Sequence, residues 1–260
     1  MRNIEKEIQE SLNAIEKKYN VKILYAIESG SRAWGFASPD SDYDVRFIYK
    51  QKKEEYLRID PGKDVIEWQL DEVLDINGWD LKKALLAFAK GNPNVMEWAN
   101  SPIIYRKTPE WEKIDEAVRC YFSKKAALYH YYGTANSTYK GYLTGDKVKY
   151  KKYMYALRPL LCCKWIERYN EIPPMLFDTL LKLFDGTDVS LDTELYDTIR
   201  LLLEKKAVTS EGEMNDHIPK ILKFIEEELA LQKEIAEKTE DDRHSDFDSI
   251  NKLFVSEVMR

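Results

Sequence analysis

Apolar and polar positions along this chain repeat with two different periods, and the place where the period changes divides it. In residues 2–18, Ile4, Ile8, Leu12 and Ile15 recur at spacings of four, four and three between charged positions, which predicts an amphipathic helix. Residues 21–28, VKILYAIE, are apolar on nearly both faces and predict a central strand. After a Gly-Ser turn and a polar loop through Ser38-Pro39-Asp40, the pattern alternates strictly: Tyr43, Val45, Phe47 and Tyr49 against Asp42, Asp44 and Arg46. Side chains two apart on a strand share a face, so this segment has one face to bury and one polar face. Residues 50–63 are charged and end in Asp60-Pro61-Gly62, which reads as a solvated connection closing in a turn. Residues 65–71 and 73–77 alternate again and predict two more strands.

The period then lengthens. Leu81, Leu85, Leu86 and Phe88 predict a helix over 79–90 ended by Gly91-Asn92-Pro93, and Asn94 reads as the cap of a short helix through Trp98. Ser101-Pro102 marks the exit. From Trp111 the pattern is helical: 109–132, a polar Gly-containing break over 133–148, then 149–169 with a kink expected at Pro159, then 173–185, 192–206, 215–237 and 246–258. Residues 188–192 and 209–213 read as linkers. The fold class expected is α+β, with a mixed sheet-and-helix lobe over 1–105 and an all-helical lobe over 106–260.

Charge changes this picture because it is segregated. The net formal charge of −6 argues against a protein that coats nucleic acid by overall positive charge. Yet residues 119–168 hold eleven Lys or Arg against only Asp146 and Glu167, and nine of the seventeen tyrosines. Interleaved cations and aromatics suit a single-stranded nucleic acid, whose phosphates pair and whose bases stack, although several of these tyrosines have core spacing. Glu226 to Glu228 and Glu240 to Asp242 read as solvated faces, and His217 and His244 as isolated surface residues. Cys120, Cys162 and Cys163 lack metal-ligand spacing and read as buried thiols. With no leader-like or membrane-spanning apolar run, the expectation is a soluble cytoplasmic protein with no membrane partner.

The chemistry concentrates in Glu28 to Tyr49. Asp42 and Asp44 facing one way repel each other unless a cation joins them, and Mg2+ accepts oxygen ligands while keeping positions open for phosphates. Gly30-Ser31 permits a turn whose backbone N–H groups approach an anion closely. The competing reading is a salt-bridged turn, with Arg32 and Arg46 pairing with the two aspartates. A third carboxylate on a neighbouring strand has three candidates, Glu67, Asp71 and Asp75. Farther along, Lys151, Tyr155 and Arg158 form one helical stripe, suited to a triphosphate tail and a base or ribose.

Gly30-Ser31 followed by Asp42-x-Asp44 resembles the signature of the DNA polymerase beta-like nucleotidyltransferase superfamily. The fuller string GSRAWGFASPDSDYDVRF is similar to its RNA-repair-associated branch, as are DINGWDLKKAL, KGNPNVMEW and KKYMYALRPLL. The resemblance implies a polymerase-beta-like lobe followed by a helical lobe, with the nucleotide held between them. It implies an enzyme using two Mg2+ to move a nucleoside monophosphate from an NTP to an acceptor hydroxyl, releasing pyrophosphate. Asp42, Asp44 and Asp75 would be the catalytic and metal-binding acids, Asp75 being favoured over Glu67 because it directly precedes the GWDLKKAL helix. Gly30, Ser31, Arg32, Arg46, Lys151, Tyr155 and Arg158 would bind substrate. An RNA 3′ end, tRNA-like or broken, is the expected acceptor; a protein or small-molecule hydroxyl is the alternative, and a non-catalytic nucleotide or RNA sensor a third.

Overall fold

The computed structural model describes residues 3–38, 41–60, 62–69, 73–184, 193–208 and 213–260. It contains two compact units. The first comprises residues 1–33, 41–122 and 243–260, the second residues 34–40 and 123–242, so the units part at Phe122 and the chain's end returns to the first, in contrast to the boundary expected at 105/106.

The first unit is built on a five-stranded mixed sheet. Helix α1 (Ile4–Tyr19) leads into β1 (Lys22–Glu28), the four-residue helix α2 (Gly30–Ala33) and β2 (Tyr43–Lys50). A short helix α3 (Lys53–Tyr56) precedes β3 (Val65–Gln69) and β4 (Leu74–Asp80), and then come α4 (Leu81–Ala89), α5 (Pro93–Ala99), β5 (Ile104–Lys107) and α6 (Pro109–Val118). The strand order is β3-β4-β2-β1-β5. β2 and β4 run parallel, and the other pairs are antiparallel. Ile8, Leu12 and Ile15 of α1 join Val45, Phe47, Tyr49, Leu74 and Ile76 in one core cluster, which fixes the predicted apolar face of β2 inward. Each such side chain, taken fully out of water, contributes about 1.5–3 kcal/mol. Gly78 of β4 lies under Phe47: a Cβ there would stand 2.1 Å from the Phe47 ring, so the packing admits only glycine.

Several expectations are corrected. The short helix after α4 is capped by Asn92, whose side chain accepts the Asn94 N–H, with Pro93 in its first turn. Residues 104–107 form an edge strand where only a chain exit was expected. The helix expected over 109–132 is two helices, because α6 ends in a 3-10 turn at Arg119–Tyr121 and Ser123 caps a new one. His244 is not isolated: Nε2 lies 2.9 Å from the Cys120 carbonyl. Cys120 itself is exposed, whereas Cys162 and Cys163 are buried.

In the second unit, α7 (Lys124–Tyr142) continues through Gly133 and much of the expected break, and α8 (Tyr150–Tyr169) continues through Pro159. α9 (Phe177–Leu180) with a following 3-10 turn replaces the helix expected over 173–185, and α10 (Thr193–Val208) and α11 (Pro219–Lys238) complete the unit. The linker over 188–192 and residues 209–212 lie outside the described residues, as do Pro39 and Asp40. His217 is also partnered: the Tyr153 hydroxyl accepts the Ile218 N–H and lies 2.9 Å from Nδ1, and Nε2 lies 2.6 Å from the Gly145 carbonyl. Glu228 is buried and paired with Lys164 at 2.8 Å, so it does not belong to a solvated face; Asp242 is exposed as expected, and it accepts the N–H groups of Lys124 and Lys125 at the start of α7. No helix among the described residues is long and apolar enough to cross a membrane.

Candidate active site

The acids meet at the end of the sheet where the inner strands β2 and β4 begin, because of register. β2 and β4 pair in parallel with Asp44 opposite Asp75 and Arg46 opposite Asn77. Paired residues in a sheet share a face, so Asp44, Arg46, Asp75 and Asn77 stand together on the side away from the Val45–Phe47 core. Asp42 lies just before β2 and is exposed. β1 ends at Glu28, and the chain turns at Ser29-Gly30 directly over β2: the Ser29 N–H donates to the Asp44 carbonyl at 2.8 Å. Gly30 has φ +60°, and a Cβ on it would lie 2.1 Å from Asp44 Oδ2. Glycine is therefore favoured twice over, by its left-handed conformation and by the carboxylate that a side chain there would displace. Ser31 follows in α2, half-buried.

Burial raises the Asp44 pKa above the ordinary carboxylate value; Arg46 opposes that, Asp75 and Asp42 add to it, and Arg32 opposes it more weakly. Arg46 joins the acids. Its Nη2 donates to Asp44 Oδ1 at 3.2 Å and to Asp75 Oδ2 at 2.8 Å, and its Nη1 donates to the Val45 carbonyl at 3.0 Å. Arg32 instead holds backbone: Nε donates to the Asp42 carbonyl at 3.0 Å, Nη2 to the Ser41 carbonyl at 2.5 Å, and the guanidinium lies 3.7 Å from the Tyr43 ring centroid. The salt-bridged reading thus describes Arg46 with Asp44, while Arg32 shapes the loop entering β2.

Among the three candidate third acids, Asp75 is directly paired with Asp44. Glu67 is exposed on β3 opposite Asn77, one strand and two residues farther along the same face. Asp71 lies outside the described residues. Sequence reasoning passed over Glu28, which it treated as the end of a strand. Glu28 is fully buried, its Oε1 accepts the Asp44 N–H at 2.6 Å, and its Oε2 accepts the Tyr105 hydroxyl. Burial raises its pKa against those two hydrogen bonds. The one signal available was a lone carboxylate closing an otherwise apolar run.

The predicted stripe on α8 belongs to the second unit. Lys151 and Tyr155 are half-buried, but Arg158 is 4% exposed. Its guanidinium lies 4.5 Å from the Trp34 ring, and its Nε donates to the Met175 carbonyl at 3.4 Å. Tyr155 packs edge-on to Trp34 at 6.0 Å and near Phe36 at 6.5 Å, while buried Lys206 donates to the Phe36 carbonyl at 2.7 Å. Within this unit Tyr155 and Arg158 of the stripe pack on Trp34 and Phe36 of the signature string, and Arg158 is buried there rather than exposed.

Among the described residues no three His, Cys, Asp or Glu side chains already stand as a metal cage. The donor set nevertheless fits Mg2+ in kind. Asp44 and Asp75 are oxygen donors close enough to share one guanidinium nitrogen, a cation already drawn to the place between them.

The chain matches the model of RlaP, the RNA repair pathway DNA polymerase beta family, over residues 4–256. It is 41% identical over 256 residues, covering 98% of this chain and 96% of the other, to a protein of Bacillus subtilis (strain 168) named "Uncharacterized protein YcgL". A crystal structure of a nucleotidyltransferase-like protein from Exiguobacterium sibiricum 255-15 aligns with 96% of this chain and 79% of its own, at 13% identity and a TM-score of 0.32. By the match across almost its whole length, the chain belongs to the RNA repair pathway DNA polymerase beta family.

Proposed function

We propose that the protein is a Mg2+-dependent nucleotidyltransferase that moves a nucleoside monophosphate from an NTP to the 3′ hydroxyl of an RNA, in repair or processing. The observation that carries this is the Asp44–Asp75 pair at the start of β2 and β4, with Asp42 beside it and the Gly30 turn pressed on the Asp44 carboxylate. Two Mg2+ held by Asp42, Asp44 and Asp75 would neutralise the triphosphate and lower the pKa of the attacking hydroxyl. The rest falls to the chain itself. Asp75, the more exposed of the paired acids, accepts the acceptor hydroxyl's proton; the hydroxyl oxygen bonds to the α-phosphorus; and the bond to the bridging oxygen breaks with its electron pair leaving on pyrophosphate. Gly30 and Ser31 present backbone to the β and γ phosphates. Arg46 neutralises the two acids between turnovers and sets their spacing.

The choice of RNA as acceptor is supported by the second unit's basic, tyrosine-rich segment. Tyr129 and Tyr142 are exposed there, with Lys125 at 5.0 Å and Lys152 at 3.6 Å from their ring centroids. The test is incubation with each α-labelled NTP and Mg2+ against tRNA, tRNA fragments and total cell protein. Label should enter RNA, and Asp44→Asn should lower incorporation by on the order of a thousandfold, the several kcal/mol expected of a metal ligand. Label in protein alone would replace the acceptor, full activity of Asp44→Asn would remove the acid pair as the reaction site, and no label in any acceptor would remove the enzymatic reading.

A further inference from the structure

The edge strand β5 does more than close the sheet. Residues 101–105 hold Glu28 at three points: the Ser101 hydroxyl, itself buried, donates to the Glu28 carbonyl at 2.6 Å; the Ile103 carbonyl accepts the Glu28 N–H at 3.0 Å; and the Tyr105 hydroxyl donates to Glu28 Oε2. The Tyr105 carbonyl is tied in turn to the Gln9 side chain of α1 at 2.7 Å. The other oxygen of Glu28 accepts the Asp44 N–H. With the Ser29 N–H on the Asp44 carbonyl, both polar groups of the Asp44 main chain are held, and its carboxylate rests against Gly30.

A fully buried carboxylate is an expensive side chain to keep, and a sheet that needed only filling there would do better with an apolar one. We propose that Glu28 is a positioning residue for Asp44, with Tyr105 and Ser101 as its supports: a clamp of β1 and β5 that fixes the Asp44 carboxylate where a cation and the triphosphate require it. Metal ligands must be held to within roughly 0.5 Å, and Asp44 has little freedom to drift, since a shift toward the turn meets the Gly30 backbone. The inference rests on the reading of Asp44 as a metal ligand.

The test is Mn2+ binding to the full chain, followed by electron paramagnetic resonance without nucleotide, for wild type, Asp44→Asn, Glu28→Met, Glu28→Gln and Tyr105→Phe. Thermal midpoints are recorded alongside. Met has the shape of Glu without an acceptor; Gln keeps one oxygen for the Asp44 N–H. Glu28→Met should weaken Mn2+ binding about tenfold, as loss of a ligand's outer support does, Tyr105→Phe should weaken it by a smaller factor, and Glu28→Gln should recover most of the loss. A role in stability alone would lower the midpoint and leave Mn2+ affinity where it was, which overturns the clamp, as would equal loss in Gln and Met. Should Glu28→Met fail to fold, Tyr105→Phe decides the matter, because it leaves Glu28 and the Asp44 backbone in place. If Asp44→Asn weakens Mn2+ binding while both clamp variants match wild type, the clamp alone fails. If Asp44→Asn also binds as wild type, the metal reading fails and the clamp with it.

Discussion

The acid edge of the first unit and the Lys151–Tyr155–Arg158 stripe of the second were both legible as polar groups sharing a face, and the fold treats them differently. On β2 the polar face stays polar: Asp44 and Arg46 are half-buried beside Asp75, while Val45 and Phe47 enter the core. On α8 the stripe is partly swallowed, with Arg158 buried under Trp34. The reason is geometric. A strand has two faces, so once Val45 and Phe47 are in this core, Asp44 and Arg46 stand on the opposite face. A helix has a continuum of sectors, and α8 is covered on most of them, with Met154, Leu157, Leu160 and Cys163 all buried. A cation on such a helix marks a packing contact as readily as a ligand site, its stem and planar guanidinium lying along an aromatic ring.

The sharpest way to break this contrast is at the turn. Gly30→Ala places a methyl where Asp44 Oδ2 lies, in a conformation unfavourable to alanine by about 1–2 kcal/mol. Displacing the carboxylate by about 1 Å should lower NTP turnover by on the order of a hundredfold. Gly141→Ala, in α7, is the partner experiment: nothing stands within 4 Å of its added Cβ, so activity should hold and the urea midpoint should rise slightly. If both variants turn over NTP like wild type, the acid edge has no need of its turn and the contrast with the second unit disappears.

Arg158→Met comes next in size. It keeps most of the stem and removes the guanidinium over Trp34, so the urea midpoint should fall by an amount worth about 1–2 kcal/mol, with KM for NTP within about twofold of wild type. A many-fold rise in KM at an unchanged midpoint would restore the stripe as a binding surface and put the two regions on the same footing.

What the sequence made legible follows the same line. The alternation in 43–49, the core stripe of α1 and the Gly-Asn-Pro stop were all readable, because each depends on local periodicity or on one residue's backbone preference. That Asp75 rather than Glu67 stands directly beside Asp44 was not readable from the residues, because it turns on the pairing of β2 with β4, a contact between strands some thirty residues apart. β5 escaped for a similar reason: IYRK has four residues and no apolar alternation, and it becomes a strand by pairing with β1. With β5 hidden, Tyr105 and Ser101 were invisible as partners of Glu28. The corrections at His217, His244 and Glu228 share this cause, since each is held by residues distant in the chain.

The smallest effect concerns Asp80, at the far end of the strand that carries Asp75. Asp80 is also an acid on β4, but it is 2% exposed and serves packing: it caps α4 through the Lys82 N–H at 2.8 Å and accepts the Tyr56 hydroxyl at 2.8 Å. Burial raises its pKa above 3.8, against the hydrogen bonds from Tyr56, Lys82 and Gln51. The folded protein therefore holds this proton more tightly than the unfolded chain, so the contribution is fully present below 3.8 and is lost as pH rises through the elevated folded value. Asp80→Asn cannot titrate. The stability of wild type minus that of Asp80→Asn, from urea midpoints across the acid range, should fall as pH rises through that window and then level off. A difference that grows with pH would mean that the donors outweigh burial and that Asp80 favours its charge. The two ends of β4 would then be alike, and solvent exposure would no longer separate the acid that packs from the acids proposed to bind metal.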